Sequence, residues 1–382
     1  MSKNVMIVAG EASGDMYGAR VVEEAHRLDS SVRFFGIGGA AMRRAGVETL
    51  VDSKEMAVMG LFEIVSHFDV IYRAFKLLKS RLLNEKPDLL ILIDYPGFNL
   101  RLAAVAKRAG VKVFYYITPQ VWAWHSSRAR KIARLVDHAA VILPFEAPFF
   151  EQVGLPVTFV GHPLLEMALP SMTIEAAQKE FGLDHNLRTV GLFPGSRKRE
   201  IDSLLSVMLE SAKLLQERFP DLQFILPLAS SIDRGAVDRK VSESGVAVTV
   251  VEGKNYDVMQ TCDVIIAASG TVTMEIALFG IPMVIVYKAS PLTFAIGIRL
   301  LNVDHVGICN IVAGERIVPE LLQDDANPLR IADELTKMLA DSHYANSIRH
   351  KLLKVRSLLG DSGASRRVAR LAMDIMEQGK VK

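Results

Sequence analysis

The sequence predicts an α/β protein made of two doubly wound parallel-sheet domains. Short apolar runs rich in β-branched residues alternate with helical patterns along the chain, as parallel βα units do. That rhythm pauses in a polar, proline-containing passage at 166–186 and then restarts. At 382 residues the chain also exceeds the size at which one hydrophobic core stops growing.

In the first half, strands are expected at 5–9, 32–36, 89–93, 111–116, 139–143 and 157–160, with helices at 17–27, 100–109 and 126–135 between them. The second half repeats the pattern, with strands at 189–193, 223–227, 246–251, 264–268 and 283–287 and helices at 201–218 and 272–279. The expected domains are 1–165 and 166–343, with the Lys- and Arg-rich helical segment 344–382 packing across their junction. Two Rossmann-like domains would then face each other across a cleft. In open α/β sheets ligands bind beyond the carboxyl ends of the strands, so chemistry is sought in the loops that follow them.

Forty-five Lys and Arg against 43 Asp and Glu give a net charge of +2, which argues against a general nucleic-acid binder. Cys262 and Cys309 show no CxxC spacing, so neither a disulfide framework nor a structural zinc site is expected, and a reducing compartment fits. The run Val5-Met-Ile-Val-Ala9 is too short for a signal peptide and reads as a buried strand. No stretch of about 18 uncharged apolar residues predicts a membrane-crossing helix. HExxH, Asp-x-Asp and P-loop patterns are all missing, so no metal and no cofactor is expected.

Four strand-end loops carry candidate chemistry. Gly10-Glu-Ala-Ser-Gly-Asp15 couples a sharp turn to a helix start; it reads either as a βα turn capped by Ser13 or Asp15 or as a site where Gly10, Ser13 and Gly14 meet substrate and Glu11 takes part in catalysis. Gly36-Ile-Gly-Gly-Ala40 is only a weak dinucleotide signal. Asp94-Tyr-Pro-Gly-Phe-Asn99 follows the apolar strand Leu89-Leu-Ile-Leu-Ile93. A carboxylate at such a tip is partly desolvated, which favours Asp94 as a general base, with Asn99 better placed to cap the next helix or to bind substrate. In Phe193-Pro-Gly-Ser-Arg-Lys-Arg-Glu200, Gly195 and Ser196 admit close approach of a diphosphate and Arg197 offers it a forked pair of hydrogen bonds. In Ala268-Ser-Gly-Thr-Val-Thr-Met-Glu275, the N–H groups of Ser269, Gly270 and Thr271 make an anion nest at a helix start, and Glu275 is set for ribose hydroxyls. Trp122 can stack on sugar or acyl chain or simply pack; His162 and Asn310 are either satisfied polar residues or cleft contacts, and Asn310 is carried forward as a substrate contact.

Together Val8-Ala-Gly-Glu-Ala-Ser-Gly-Asp15, Met56-Ala-Val-Met-Gly60, Ile93-Asp-Tyr-Pro-Gly-Phe-Asn99, Pro119-Gln-Val-Trp-Ala-Trp124, Leu143-Pro-Phe-Glu146, Pro194-Gly-Ser-Arg197 and Ala268-Ser-Gly-Thr271 resemble the lipid-A-disaccharide synthase family, inverting glycosyltransferases of the two-Rossmann GT-B type. The resemblance spans nearly the whole chain. It implies UDP-2,3-diacylglucosamine as donor, 2,3-diacylglucosamine 1-phosphate as acceptor, and UDP released as a β-1,6 disaccharide forms without a metal. Asp94 matches the family's candidate catalytic aspartate and Arg197 its essential arginine. Some members carry an aspartate at the position of Gly97, a departure that concentrates the catalytic expectation on Asp94.

The resemblance further implies a peripheral protein on the cytoplasmic side of the inner membrane of a Gram-negative cell, and it leaves room for a homodimer. For membrane or acyl-chain contact the stretch 60–79 stands out. Leu61, Phe62, Ile64, Val65 and Phe68, with Ile71, Phe75 and Leu78, supply more apolar surface than one buried helix face needs, and Arg73, Lys76, Lys79 and Arg81 suit anionic lipid. Two alternatives share the fold: a UDP-N-acetylglucosamine 2-epimerase-like isomerase, and a non-catalytic nucleotide-sugar sensor.

Overall fold

The computed structural model describes residues 3–56, 68–124, 127–290, 294 and 304–378. The chain divides into two compact units, Met1–Glu166 together with Leu359–Lys382, and Met167–Leu358. In the first, seven parallel strands β1 (Asn4–Ala9), β2 (Arg33–Gly38), β3 (Glu48–Asp52), β4 (Leu89–Ile93), β5 (Val113–Tyr116), β6 (His138–Val141) and β7 (Val157–Phe159) stand in the order β3-β2-β1-β4-β5-β6-β7. The second holds β8 (Arg188–Phe193), β9 (Leu222–Leu228), β10 (Val248–Glu252), β11 (Val264–Ala268), β12 (Met283–Tyr287) and β13 (Glu320–Leu322) in the order β10-β9-β8-β11-β12-β13.

Helices cover both faces of each sheet, which explains why the central strands read as unbroken apolar runs. Every residue of β4 and β11 is buried. Each fully buried aliphatic side chain of this kind stabilises the fold by about 1.5–3 kcal/mol. The edge strands β3 and β13 were not foreseen: Glu-Thr-Leu-Val-Asp and Glu-Leu-Leu carry too few apolar residues, and at an edge only one flank needs them. The passage 166–186 holds a helix, Ile174–Phe181, capped by the Thr173 side chain and closed by left-handed Gly182.

The C-terminal segment, expected as one piece, divides at Leu358. Helix Ser342–Leu358 belongs to the second unit and packs on helices Thr271–Phe279, Ile308–Ala313 and Pro328–Ala340; helix Ala364–Glu377 belongs to the first and packs on helix Ala12–Leu28 and β4. Both cysteines are buried and unpaired, and burial pushes their thiols up, that of Cys309 to about 12. Among the described residues, no helix is long and apolar enough to cross a membrane.

Asp15 has a structural task. It lies inside helix Ala12–Leu28 rather than capping it, and its buried carboxylate accepts hydrogen bonds from the N–H groups of Gly39 (2.6 Å), Ala41 (3.0 Å) and Met42 (3.0 Å), the start of helix Ala40–Arg44. A Cβ on Gly39 would fall 2.6 Å from that carboxylate, so the Gly36–Ala40 run serves close packing instead of a dinucleotide. Asp15→Ala strands buried N–H donors and is expected to lower unfolding stability by about 2 kcal/mol. Urea denaturation checks this, and an unchanged midpoint would refute it.

Candidate active site

In each sheet the direction of strand succession reverses once, between β1 and β4 and between β8 and β11. Chains leaving adjacent strands there diverge to opposite faces and open a crevice at the carboxyl edge. All four chemistry-bearing loops sit at these two switch points. In the first unit Ala9 pairs with Ile93, so Gly10–Glu11 and Asp94–Tyr95 emerge side by side.

Asp94 and Tyr95 both adopt left-handed backbone (φ 46° each), and Ile117, at the end of neighbouring β5, does so at φ 58°. Such residues cost about 1–3 kcal/mol each and persist only where surroundings over-determine them. Here the Tyr115 hydroxyl donates to the Asp94 carbonyl oxygen (2.6 Å), while Asn99 Nδ2 donates to the same oxygen (2.7 Å) and to that of Ile93 (3.2 Å). The Tyr95 ring then lies against Gly10, where a Cβ would fall 2.5 Å from it, and its hydroxyl donates to the Met56 carbonyl at 3.1 Å. Burial, and then the neighbouring Glu11 carboxylate, push Asp94 up to about 6 against an opposing hydrogen bond from the Tyr95 N–H.

Several expected contacts have other tasks. Asn99 neither caps its helix, whose N-cap is Tyr95, nor reaches solvent; it is buried and holds the Asp94 turn. Gly14 is buried against Ala9 and Ile93, where it lets the helix approach the sheet. Neither Ser13 nor any other side chain caps that helix, whose N-cap position is Glu11. Trp122 is half-buried; its Nε1 donates to Glu146 (3.0 Å) and its ring stands edge-on to Phe145 at 4.8 Å. Glu146 is buried and pushed up to about 7, its other oxygen accepting from the N–H groups of Ile142 and Leu143. His162 is buried, held neutral with its pKa lowered to about 4, and accepts from the Leu164 N–H.

In the second unit a cavity of about 280 Å³ brings Gly195, Ser196, Arg197, Ser269, Gly270, Thr271 and Glu275 together. Sequence reasoning missed Glu200, Pro227, Ala229 and Asn255 on its walls. Pro227 lies near the end of β9, Ala229 just after it and Asn255 after β10, so the carboxyl-edge rule could have found them. Gly195 is left-handed (φ 106°), bringing Glu200 beneath the turn, where it accepts from the N–H groups of Ser196 (3.0 Å) and Arg197 (3.2 Å). These N–H groups are therefore spent, and the exposed Arg197 guanidinium, 3.4 Å from Glu200, is what the turn presents. The nest after β11 is smaller than expected, because the Ser269 N–H donates to the Val286 carbonyl; Gly270 and Thr271 remain at the start of the helix. Burial pushes Glu275 up to about 7 against a hydrogen bond from Tyr256.

Asn310, expected at substrate, is fully buried outside this cavity. Its Nδ2 donates to Val318 (2.9 Å) and Glu320 (2.8 Å) and its Oδ1 accepts from the N–H groups of Ile317 and Val318, so its amide is consumed within the protein.

Leu61, Phe62, Ile64 and Val65 lie outside the described residues, as does the side chain of Phe68. Within helix Phe68–Glu85, Leu78 is core and Ile71 and Phe75 pack against it, so their apolar stripe faces the protein. Arg81 is engaged by Glu48 and Glu85. Among the described residues no cluster of His, Cys, Asp or Glu is placed to hold a metal ion.

One family model, Lipid-A-disaccharide synthetase, matches residues 5–373. The lipid-A-disaccharide synthases of Geobacter metallireducens and Geobacter sulfurreducens are each 58% identical over 375 residues, with 98% of both chains covered. That of Coxiella burnetii is 42% identical, covering 98% of this chain and 99% of its own. Among solved structures, UDP-GlcNAc 2-epimerase from Neisseria meningitidis bound to UDP-GlcNAc superimposes with a TM-score of 0.67 at 14% identity, covering 97% of this chain and all of the other. The calicheamicin glycosyltransferase CalG4 does so at 0.63 and 14% over the full length of both. At that identity the structures share only the fold, that of two Rossmann-like units.

Fold and relatives define a glycosyltransferase of the GT-B class. The epimerase likeness is architectural, and the isomerase and sensor alternatives are set aside. The chain belongs to the lipid-A-disaccharide synthase family.

Proposed function

We propose that the chain transfers 2,3-diacylglucosamine from its UDP derivative to the 6-hydroxyl of 2,3-diacylglucosamine 1-phosphate, releasing UDP. The observation that carries this reading is the second unit's cavity, where an arginine, a helix start and a sheltered carboxylate line one space. Arg197 and the N–H groups of Gly270 and Thr271 take the diphosphate and stabilise the charge that develops on it as the sugar departs. Glu275 accepts from the ribose hydroxyls. Asp94, as carboxylate, takes the proton of the acceptor hydroxyl while that oxygen attacks the anomeric carbon from the face opposite UDP. Glu11 assists by raising Asp94's affinity for that proton. Because the substrates are acylated, the protein works at a membrane surface, on the cytoplasmic side of the inner membrane.

Labelled UDP-2,3-diacylglucosamine and the acceptor phosphate in neutral detergent should give a labelled disaccharide; release of epimerised sugar, or no turnover, would sink the proposal. The pH profile gives a sharper check. A base acts only when deprotonated, and its pKa of about 6 lies above the usual carboxylate range. Thus kcat/KM should be flat above that pH and fall about tenfold per unit below it. Glu11→Gln removes a like charge, so the inflection should move to lower pH.

A further inference from the structure

Over the whole chain basic and acidic residues nearly balance, 45 against 43, yet from Tyr95 to Val136 there are eight Lys and Arg and no Asp or Glu. Two of the eight are engaged: Lys107 pairs with Asp137, and Lys112 donates to the Ile375 carbonyl at 2.8 Å. The other six, Arg101, Arg108, Arg128, Arg130, Lys131 and Arg134, are exposed, and none has an acidic partner among the described residues. Four of them occupy helix Ser127–Leu135, which buries Ala129 and Ile132 in the core. At 100° per residue Arg130, Lys131 and Arg134 lie opposite that buried stripe and Arg128 flanks it on the side of Ile132. The helix packs beside Pro96–Arg108, which brings Arg101 and Arg108, and that helix packs beside Phe68–Glu85, on which Arg73, Lys76 and Lys79 are exposed. The result is a basic layer on one face of the first sheet. It begins at the carboxyl edge, since helix Ser127–Leu135 follows the loop that leaves β5 beside the Asp94 turn.

Unpaired like charges repel one another and are not gathered to stabilise a fold. We propose that this layer, centred on Arg128, Arg130, Lys131 and Arg134, is a docking surface for the anionic phospholipid headgroups of a membrane. The inference rests on the reading that the substrates are acylated sugars, because such substrates reside in a bilayer and an enzyme at their surface meets its headgroups first. Charge complementarity selects anionic lipid. Arginine suits phosphate headgroups through its forked donors, and an array of cations gains attraction that fades with added salt.

The test uses the full chain and the variant R128Q/R130Q/K131Q/R134Q, sedimented with vesicles of phosphatidylcholine alone or with about one third phosphatidylglycerol, a content that gives a strongly negative surface. Wild type should partition onto the anionic vesicles at least about tenfold more than onto neutral ones, less so as salt rises, and the variant should lose about tenfold. The variant's thermal midpoint and its disaccharide formation in neutral detergent micelles should match wild type. Equal sedimentation of variant and wild type, equal binding of wild type to neutral vesicles, or tighter binding to duplex DNA than to anionic vesicles at the same salt overturns the proposal. If wild type forms no disaccharide in micelles, the transferase reading fails, while sedimentation still judges the surface.

Discussion

Asp94→Asn is expected to lower kcat by about 10²- to 10⁴-fold, the usual contribution of a positioned general base, with UDP binding by calorimetry unchanged. The substitution is nearly isosteric, and the features that shape the turn are backbone groups: the Asp94 carbonyl keeps its hydrogen bonds from Tyr115 and Asn99 whatever the side chain carries. Asparagine also tolerates left-handed backbone, so the φ of 46° adds little new cost. What is lost is the ability to take a proton. The pH dependence should vanish with it, because the group that inflects near pH 6 is gone. A variant that keeps wild-type turnover, or keeps the acid limb of the profile, means that another carboxylate is the base. Glu11 is then the first candidate, being the charge that helps raise Asp94.

Reading the sequence located the switch-point loops because the signals there are local. Leu89–Ile93, Val264–Ala268 and Met283–Tyr287 coincide with the predicted strands, since a run buried on both faces is apolar throughout and its ends are marked by glycine, proline or a polar residue. The tasks of individual polar residues were less legible. Asn99, Asn310 and Asp15 all looked like ligand contacts or caps of their own helices, yet each is spent on groups that the fold brings to it: Asn99 on the backbone of the turn just before its helix, Asn310 on backbone seven and eight positions along and on the Glu320 carboxylate, Asp15 on the backbone of a helix 24 to 27 positions along. Glu200 shows the converse. It was visible in the third loop, but only the left-handed turn at Gly195 reveals that its carboxylate satisfies the N–H groups expected to hold phosphate.

That arrangement sets the second large effect. Arg197→Ala is expected to lower kcat/KM by about 10²- to 10³-fold, comparable to loss of a donor that stabilises developing charge, and to weaken binding of UDP itself. With the Ser196 and Arg197 N–H groups committed to Glu200, the guanidinium is the turn's main means of meeting a diphosphate. Its removal also leaves the Glu200 carboxylate, 3.4 Å from Arg197 Nη1, without that neighbour and on the wall of the same cavity, so an approaching anion meets repulsion where it had met attraction. Arg197→Lys keeps the charge but not the fork and should recover only part of the loss. Binding of UDP and initial rates at varied donor concentration separate the two contributions. If the alanine variant binds UDP as wild type does and turns over within about threefold of it, too small a change for a lost charge-stabilising donor, then the diphosphate is held by the start of the helix at Thr271 alone, and the turn at Gly195 shapes the cavity without acting in it.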